Sequence, residues 1–296
     1  MRIGFIGAGK VGFTFGRYIK DRRELVQMNT DSVTELDVGG YYSSSRKSAE
    51  LAAEFTDTCV YGSLDELCKD SDVIFLTVPD GQIAEVWKNI RDLDIYGRII
   101  CHASGAMTSD IFSGITEAGA FGYSIHPMYA ISSKYESFKE LDRAFFTVEG
   151  HDRYADSICK VINALGNDCV RIQGTDKVKY HAASVFASNL VTGLLAVSQD
   201  LLTQCGFTHE EAGRAIEPLF LGNARAAAAK GPVESLTGPI ERCDTGTVQK
   251  HLAVLTGNEL AAYKAVSRCL VNVASRKHPD KDYTDLIQVL DGIGEL

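Results

Sequence analysis

Near the start of the chain, Gly7-Ala8-Gly9-Lys10-Val11-Gly12 spells G-x-G-x-x-G. The string follows the apolar run at residues 2–6 and opens a helical pattern. That context makes it a dinucleotide fingerprint rather than a chance glycine cluster. Gly7 permits a tight turn, Gly9 lets the backbone approach a pyrophosphate, and Gly12 lets helix and strand pack closely. The helix N-terminus offers free N–H groups and a positive dipole end to the phosphates. An NAD site usually carries Asp or Glu at the end of the second strand, for the ribose 2′-hydroxyl. Here that position reads Tyr41-Tyr42-Ser43-Ser44-Ser45-Arg46-Lys47. Its hydroxyls, guanidinium and ammonium suit a 2′-phosphate, which favours NADP(H) over NAD(H). Ser45 also reads as a plain helix cap with Arg46 and Lys47 solvated, and both readings can hold at once. The acidic stretch from Asp31 to Asp37 precedes the strand and is expected to lie away from the ribose.

A second constellation lies in the middle of the chain. Lys177, His181, Ser184 and Ser188 recur at i, i+4, i+7 and i+11. On a helix they share one face. The rest of that helix is almost wholly apolar, so the stripe reads as one wall of a cleft. Lys177 would protonate or polarise a carbonyl or imine that receives hydride, with His181 one turn further on. The bland alternative is an exposed lysine in a frayed first turn above a packed histidine.

The other wall is expected beyond the carboxyl ends of parallel strands, where open α/β sheets bind their ligands. Val78-Pro79-Asp80, His102-Ala103-Ser104-Gly105 and His126-Pro127-Met128 all fall at such ends. Val78, Pro79 and Asp80 are cofactor-side candidates. Ser104 and Gly105 would offer a hydroxyl and N–H groups to a substrate carboxylate, or simply form a turn. His126 reads as an acid–base group or as a structural histidine before a proline turn. Arg242 would bind a substrate carboxylate or pair with Asp244, and Asp244 or Thr245 would cap the helix that follows.

The elements that must position these residues fall into two blocks. Strands are expected at 2–6, 36–44, 72–78, 98–102, 121–125, 144–148 and 168–173. Helices are expected from Val11, over 47–55, 83–90 and 152–165. Strands alternating with helices imply βαβ units and a doubly wound sheet. Beyond Gly174 no convincing strand remains, and 176–205, 208–230, 245–274 and 280–291 read as helices. The fold class is therefore α/β, with a Rossmann domain at 1–174 and an all-helical substrate and dimerisation domain at 175–296.

Composition narrows the function. Of 296 residues, 45% are hydrophobic and 23% charged, as in a soluble globular protein. The formal charge of -9 argues against a nucleic-acid partner. No apolar stretch reads as long enough for a membrane span. The eight cysteines include no C-x-x-C pair, so reduced thiols in a cytoplasmic protein are expected, and no metal site.

With these residues in place, the chain resembles the superfamily of β-hydroxyacid dehydrogenases, ketopantoate reductases, pyrroline-carboxylate reductases and prephenate dehydrogenases. It is most similar to a branch of Rossmann-like proteins with a C-terminal domain of unknown function. The resemblance rests on the fingerprint, His102-Ala-Ser-Gly, His126-Pro, Lys177-x-x-Tyr180-His181 and Leu236-Thr-Gly-Pro-Ile-x-Arg. It implies an N-terminal Rossmann domain, a helical C-terminal domain and dimerisation through the helices. Better-known relatives use a catalytic lysine with an asparagine four residues later; here those positions hold Lys177 and His181. His126-Pro127-Met128 looks like the catalytic histidine motif of prephenate dehydrogenases, with Ala130 where a glycine is expected. The expectation is an NADP(H)-dependent oxidoreductase acting on a small carbonyl, alcohol or imine that carries a carboxylate. A nucleotide-responsive binding protein without turnover, or a deazaflavin enzyme, would fit the same fold.

Overall fold

The computed structural model describes residues 1–29 and 35–292. Contacts divide the chain into two compact units, one of residues Met1–Ala187 and one starting at Ser188.

The first unit is built on an eight-stranded sheet of order β3-β2-β1-β4-β5-β6-β7-β8. Its strands are β1 (Arg2–Ile6), β2 (Asp37–Tyr42), β3 (Cys59–Val60), β4 (Val73–Leu76), β5 (Ile99–His102), β6 (Phe121–Met128), β7 (Phe145–Gly150) and β8 (Cys169–Arg171). Pairing is parallel except between β6 and β7. The strand order reverses at β1, which pairs with β2 on one side and β4 on the other. A crevice therefore opens at the carboxyl ends of β1 and β4, where a doubly wound sheet binds its ligand.

Helices α1 (Lys10–Asn29), α2 (Arg46–Thr56) and α5 (Asp152–Ala164) contribute to the core on one face, with Phe13, Ala52 and Ala155 packed among Phe5, Tyr41 and Phe75. On the other face, α3 (Leu64–Asp70) and α4 (Asp80–Ile90) bury Leu67, Ile83 and Trp87 with Phe112. All four residues of β4 are buried, as an unbroken Val-Ile-Phe-Leu run in a doubly covered parallel sheet requires. Each such side chain contributes roughly 2 kcal/mol on leaving water. Neither β3 nor α3 is anticipated by the sequence pattern. β3 has two residues, too few for a periodic signal, and α3 is a short helix capped by Ser63, whose hydroxyl accepts from the Glu66 N–H.

The expected helix over 176–205 is two helices, α6 (Lys177–Ala187) and α7 (Asn189–Gln204). The break falls at Ser188, whose φ of -129 and ψ of -82 are not helical. The 245–274 helix likewise divides into α10 (Thr245–Val254) and α11 (Gly257–Lys277). In both places the apolar pattern runs on through the break, so periodicity alone cannot register it. The last strand ends at Arg171, close to the expected change at 174, but the first compact unit extends through α6 to Ala187.

In the second unit, the expected 208–230 helix is the longer α8 (His209–Ser235), kinked where Gly231 takes a φ of 80. α9 (Pro239–Arg242) and α12 (Thr284–Asp291) complete the unit. Its core gathers Ile240, Val248, Val271, Ala274, Tyr283, Leu286 and Leu290 from α9 to α12. α7 has no buried residue among those described, and α8 buries Ala212 alone. One expectation needs correcting here. The helical run Gly174–Gln204 is long and apolar enough to cross a membrane by length and composition, and none of its most apolar window is buried. Polar residues scattered through the run hide this from a search for unbroken apolar stretches.

Candidate active site

The fingerprint forms the crevice between β1 and β4. The Gly7 N–H donates to the Tyr42 carbonyl at 2.8 Å and the Thr77 N–H to the Ile6 carbonyl at 2.8 Å, which aligns the three strand ends. Gly7 has a φ of 110, and a Cβ there would lie 2.8 Å from the Thr77 carbonyl. A Cβ at Gly12 would lie 2.6 Å from the Gly7 oxygen. Packing within the chain thus demands both glycines. Gly9 differs: its nearest neighbour would be 3.7 Å away, an ordinary contact. Nothing among the described residues requires glycine at the head of α1, whereas an approaching pyrophosphate does. Ala8 is buried, Val11 half-buried and Lys10 exposed beside it. These residues fit a dinucleotide.

At the end of β2, Ser45 caps α2 by accepting from the Ser48 N–H, and Ser43 Oγ accepts from the Ser45 N–H. Ser44 is exposed, and the exposed Arg46 pairs with Glu50 at 3.0 Å. The expected cap is therefore present, with hydroxyls and a guanidinium around it. Asp37 lies at the opposite end of β2, held by Arg2, Lys20 and Arg23, and so points away from this corner. Asp31 lies outside the described residues.

Beyond β5 and β6 the predicted residues of the second constellation meet. Lys177 is fully enclosed, and its ammonium donates to the Ser104 carbonyl at 2.9 Å and to Ser124 Oγ at 2.8 Å. Ser124 Oγ in turn donates to the Ser104 carbonyl at 3.1 Å. The lysine thereby ties the loop after β5 to β6. Burial pushes it down to about 8, against the pull of the Glu149 and Asp80 carboxylates. Ser104 Oγ donates to Asp80 at 2.7 Å and accepts from the Ala106 and Met107 N–H groups, so its turn is both capped and anchored to the start of α4. Val78 is half-buried and Pro79 exposed just before that helix.

Two histidines bracket Gly105. A Cβ at this position would lie 2.8 Å from His181 Nδ1 and 2.9 Å from His126 Nε2. His181 Nδ1 is buried and has no hydrogen-bond partner among the described residues. His126 Nδ1 lies 2.7 Å from the Tyr180 hydroxyl, with the rings edge to face. Burial, then the nearby Lys177 and His181, push His126 down to about 4, so it is neutral at pH 7. With Nδ1 engaged by the Tyr180 hydroxyl, His126 Nε2 faces Gly105 and His181. A third histidine, His102, is structural. Its Nδ1 accepts from the Ser104 N–H, which directs its Nε2–H to the Thr108 carbonyl, and burial lowers it to about 4.

Lys177, His181, His126, Ser104, Gly105 and Asp80 thus come together. Ser184 is not brought into this cluster. The Ser184 hydroxyl donates back to the Tyr180 carbonyl within α6. Arg242 belongs to the second unit, at the end of α9, where Asp244 caps α10 by accepting from the Thr247 N–H. Ser188 leaves the stripe at the helix break. Tyr180 and Ser124 were missed as site residues, although both carry a readable signal. Tyr180 is at i+3 from Lys177 on a helix, and Ser124 is at i-2 from His126 on a strand, so each shares a face with a predicted residue. The neutral His126 imidazole and the His181 ring beside an enclosed ammonium can hydrogen-bond and polarise a carbonyl, imine or carboxylate oxygen. Among the described residues, no group of three His, Cys, Asp or Glu side chains is placed to hold a metal ion.

Residues 1–127 match the model of a Rossmann-like domain, and residues 144–269 match a domain of unknown function, DUF2520. No curated protein matches the chain. Among solved structures, a protein from Thermotoga maritima is 23% identical with a TM-score of 0.72, the match covering 93% of this chain and 99% of that one. A proposed NADP oxidoreductase from Bacteroides fragilis is 19% identical with a TM-score of 0.68, covering 92% and 98%. A Plasmodium falciparum pyrroline carboxylate reductase with NADP bound is 13% identical with a TM-score of 0.55, covering 100% and 98%. At these identities the likeness is one of fold.

Proposed function

We propose that this chain, in which a Rossmann-like domain is followed by a DUF2520 domain, is an NADP(H)-dependent oxidoreductase acting on a small carbonyl, alcohol or imine that carries a carboxylate. The observation that carries the proposal is a juxtaposition within the first unit. The open glycine at the head of α1 and the imidazole pair at Gly105 stand along one carboxyl edge of the sheet, linked through Asp80 and Ser104. Names among the fold relatives point the same way, towards NADP and a C=N substrate.

When bound, the nicotinamide would supply or accept the hydride. Gly7 to Gly12 would hold its pyrophosphate, and Ser43, Ser44 and Arg46 the 2′-phosphate. His126 Nε2 and His181 would contact the reacting oxygen or nitrogen. Lys177 takes a different part from the direct acid expected of it. Two of its three N–H groups bind Ser104 and Ser124, so it would fix the loop that carries Gly105 and add positive charge behind the imidazoles. The exposed apolar helix α7, with Leu190 and Leu194, would be covered by a second copy of the chain, giving a homodimer. The free thiols suit a reducing compartment such as the cytoplasm.

Calorimetry with NADPH, followed by NADPH oxidation against a panel of small oxo acids and cyclic imino acids, tests the reading. Micromolar NADPH binding with turnover of at least one panel member is expected. Absence of NADPH binding would sink it.

A further inference from the structure

Away from the site, two thiols touch. Cys159 lies on α5 and Cys169 begins β8, the last strand of the sheet. Their sulfurs are 3.0 Å apart, the Cys169 thiol donating to Cys159 Sγ. A disulfide closes at about 2 Å, so bonding needs only about 1 Å of further approach. The backbone that carries the pair is already fixed. Arg171, two residues along β8, reaches Asp152 at 2.5 Å and Asp156 at 3.1 Å, both on α5. β8 is also paired with β7, Cys169 standing opposite Phe146. Both thiols are half-buried, and Cys169 lines a surface cleft of about 330 Å³ with Phe145, Asn163 and Asp168. A small molecule can therefore reach Cys169 from the cleft, with the half-buried Cys159 sulfur beside it.

We propose that Cys159 and Cys169 form a dithiol site that a hydroperoxide or a low-molecular-weight disulfide oxidises to an intramolecular disulfide. Cys159 is the attacking thiol. The hydrogen bond from Cys169 holds it below the usual thiol range, with help from the Arg171 charge against burial and Asp156. With a disulfide oxidant, the Cys159 thiolate attacks one sulfur, the oxidant's S–S bond breaks, and one thiolate leaves and takes up a proton. Cys169 then gives up its proton and attacks Cys159 Sγ in the mixed disulfide, releasing the second small thiol. With a hydroperoxide, the O–O bond breaks, Cys159 becomes a sulfenic acid, and an alcohol or water leaves; Cys169 then displaces the oxygen as water. In either case the protein loses two protons and two electrons, which the oxidant gains. The bond would lock α5 to β8. From β8 the chain passes through Gly174–Asp176 directly to Lys177, so the lock would stiffen the segment that delivers the buried lysine.

Peptide mapping of the whole chain tests this. The protein is treated with oxidised glutathione, free thiols are blocked with N-ethylmaleimide, and trypsin is added. Lys160 separates the cysteines, so peptides 154–160 and 161–171 stay together only through the new bond. The linked pair is expected, lighter by two hydrogens and separable by dithiothreitol. Cys159→Ser should leave Cys169 with a glutathione adduct or a maleimide instead. The proposal fails if both cysteines react with the maleimide under conditions that glutathionylate the exposed Cys205 and Cys269. It also fails if Cys159 and Cys169 each keep a separate glutathione.

Discussion

The two units treat their apolar side chains in opposite ways. In the first, β4 is buried along its whole length, and α1, α2 and α5 press aromatic and small residues onto the sheet. In the second, the core belongs to α9 to α12, while α7 leaves Leu190 45% and Leu194 42% exposed. A helix of that composition is not a solvent face, because exposed apolar area of this extent is normally covered. The first unit therefore carries the candidate chemistry on a core of its own, and the second leaves α7 bare, the face proposed above for a second copy. Substitutions in the first unit should change binding, turnover and folding of the chain, and those on α7 should change assembly.

Lys177→Ala should have the largest effect on the first side of that comparison. It removes an enclosed ammonium and its two hydrogen bonds, leaving the Ser104 carbonyl and Ser124 hydroxyl only the bond between them. The loss should be about 2–4 kcal/mol of stability, seen in urea unfolding. Turnover should fall roughly 10²-fold, the usual weight of a positioned group. NADPH affinity should move by less than about 1 kcal/mol, since the fingerprint is untouched. A variant as stable and as active as the parent would show that the loop after β5 holds itself in place.

Acid should come next. His102 and His126 both titrate at about 4, below the ordinary 6.5. Between those values the unfolded chain binds more protons than the folded one, so stability falls as pH drops from 6.5 to 4. Each group accounts for up to roughly 3 kcal/mol across that window. Lys177, at about 8 against 10.5, adds an alkaline counterpart: stability rises with pH between the two. Urea midpoints across pH measure both limbs, and His126→Phe should remove part of the acid slope. A flat acid limb would mean that the imidazoles are better solvated than their enclosure implies.

How far this was legible in the sequence differs between the two corners of the site. The fingerprint sits in a strand–turn–helix whose geometry follows from local residue types, so Gly7, Gly9 and Gly12 could be assigned from spacing. The Gly105 corner is assembled from four separate stretches of chain: Asp80, Ser104, His126 and Lys177 to His181. Spacing shows that Lys177 and His181 share a helix face, and nothing local shows that the lysine is enclosed rather than presented. Its partners, a backbone carbonyl and Ser124, are long-range in sequence, and that is why it was read as a direct acid. The breaks at Ser188 and at 255–256 were missed for the converse reason. They are local, but they leave the apolar repeat intact.

A smaller effect should come from the second unit. Leu194→Glu places a charge on the bare face of α7. If a second copy covers that face, the dimer should weaken by about 2 kcal/mol or more, read as a lower mass in light scattering at micromolar concentration. NADPH binding should be unaffected. A parent protein that is already monomeric would remove the second copy as the occupant and leave the contrast between the units without its explanation.

The smallest effect should come from Arg46→Ala, which tests the cofactor corner where the first unit meets solvent. Arg46 is exposed and spends its guanidinium on Glu50, one turn along α2. An exposed i,i+4 pair contributes only about 0.3–0.5 kcal/mol, so Arg46 can leave Glu50 for a phosphate at little cost. A charge-assisted contact to a 2′-phosphate would return more than that, but solvent screens it at this position. NADPH affinity should therefore fall only about tenfold, close to 1.4 kcal/mol, with NADH affinity nearly unchanged. The Ser43 and Ser44 hydroxyls should keep a residual preference for NADPH. Raising the salt concentration should narrow the difference between parent and variant, because the interaction removed is a screened one. Equal losses for NADPH and NADH would mean that Arg46 acts through the fold of the α2 start, and the 2′-phosphate would then need another partner, with Lys47 the nearest cation in the chain.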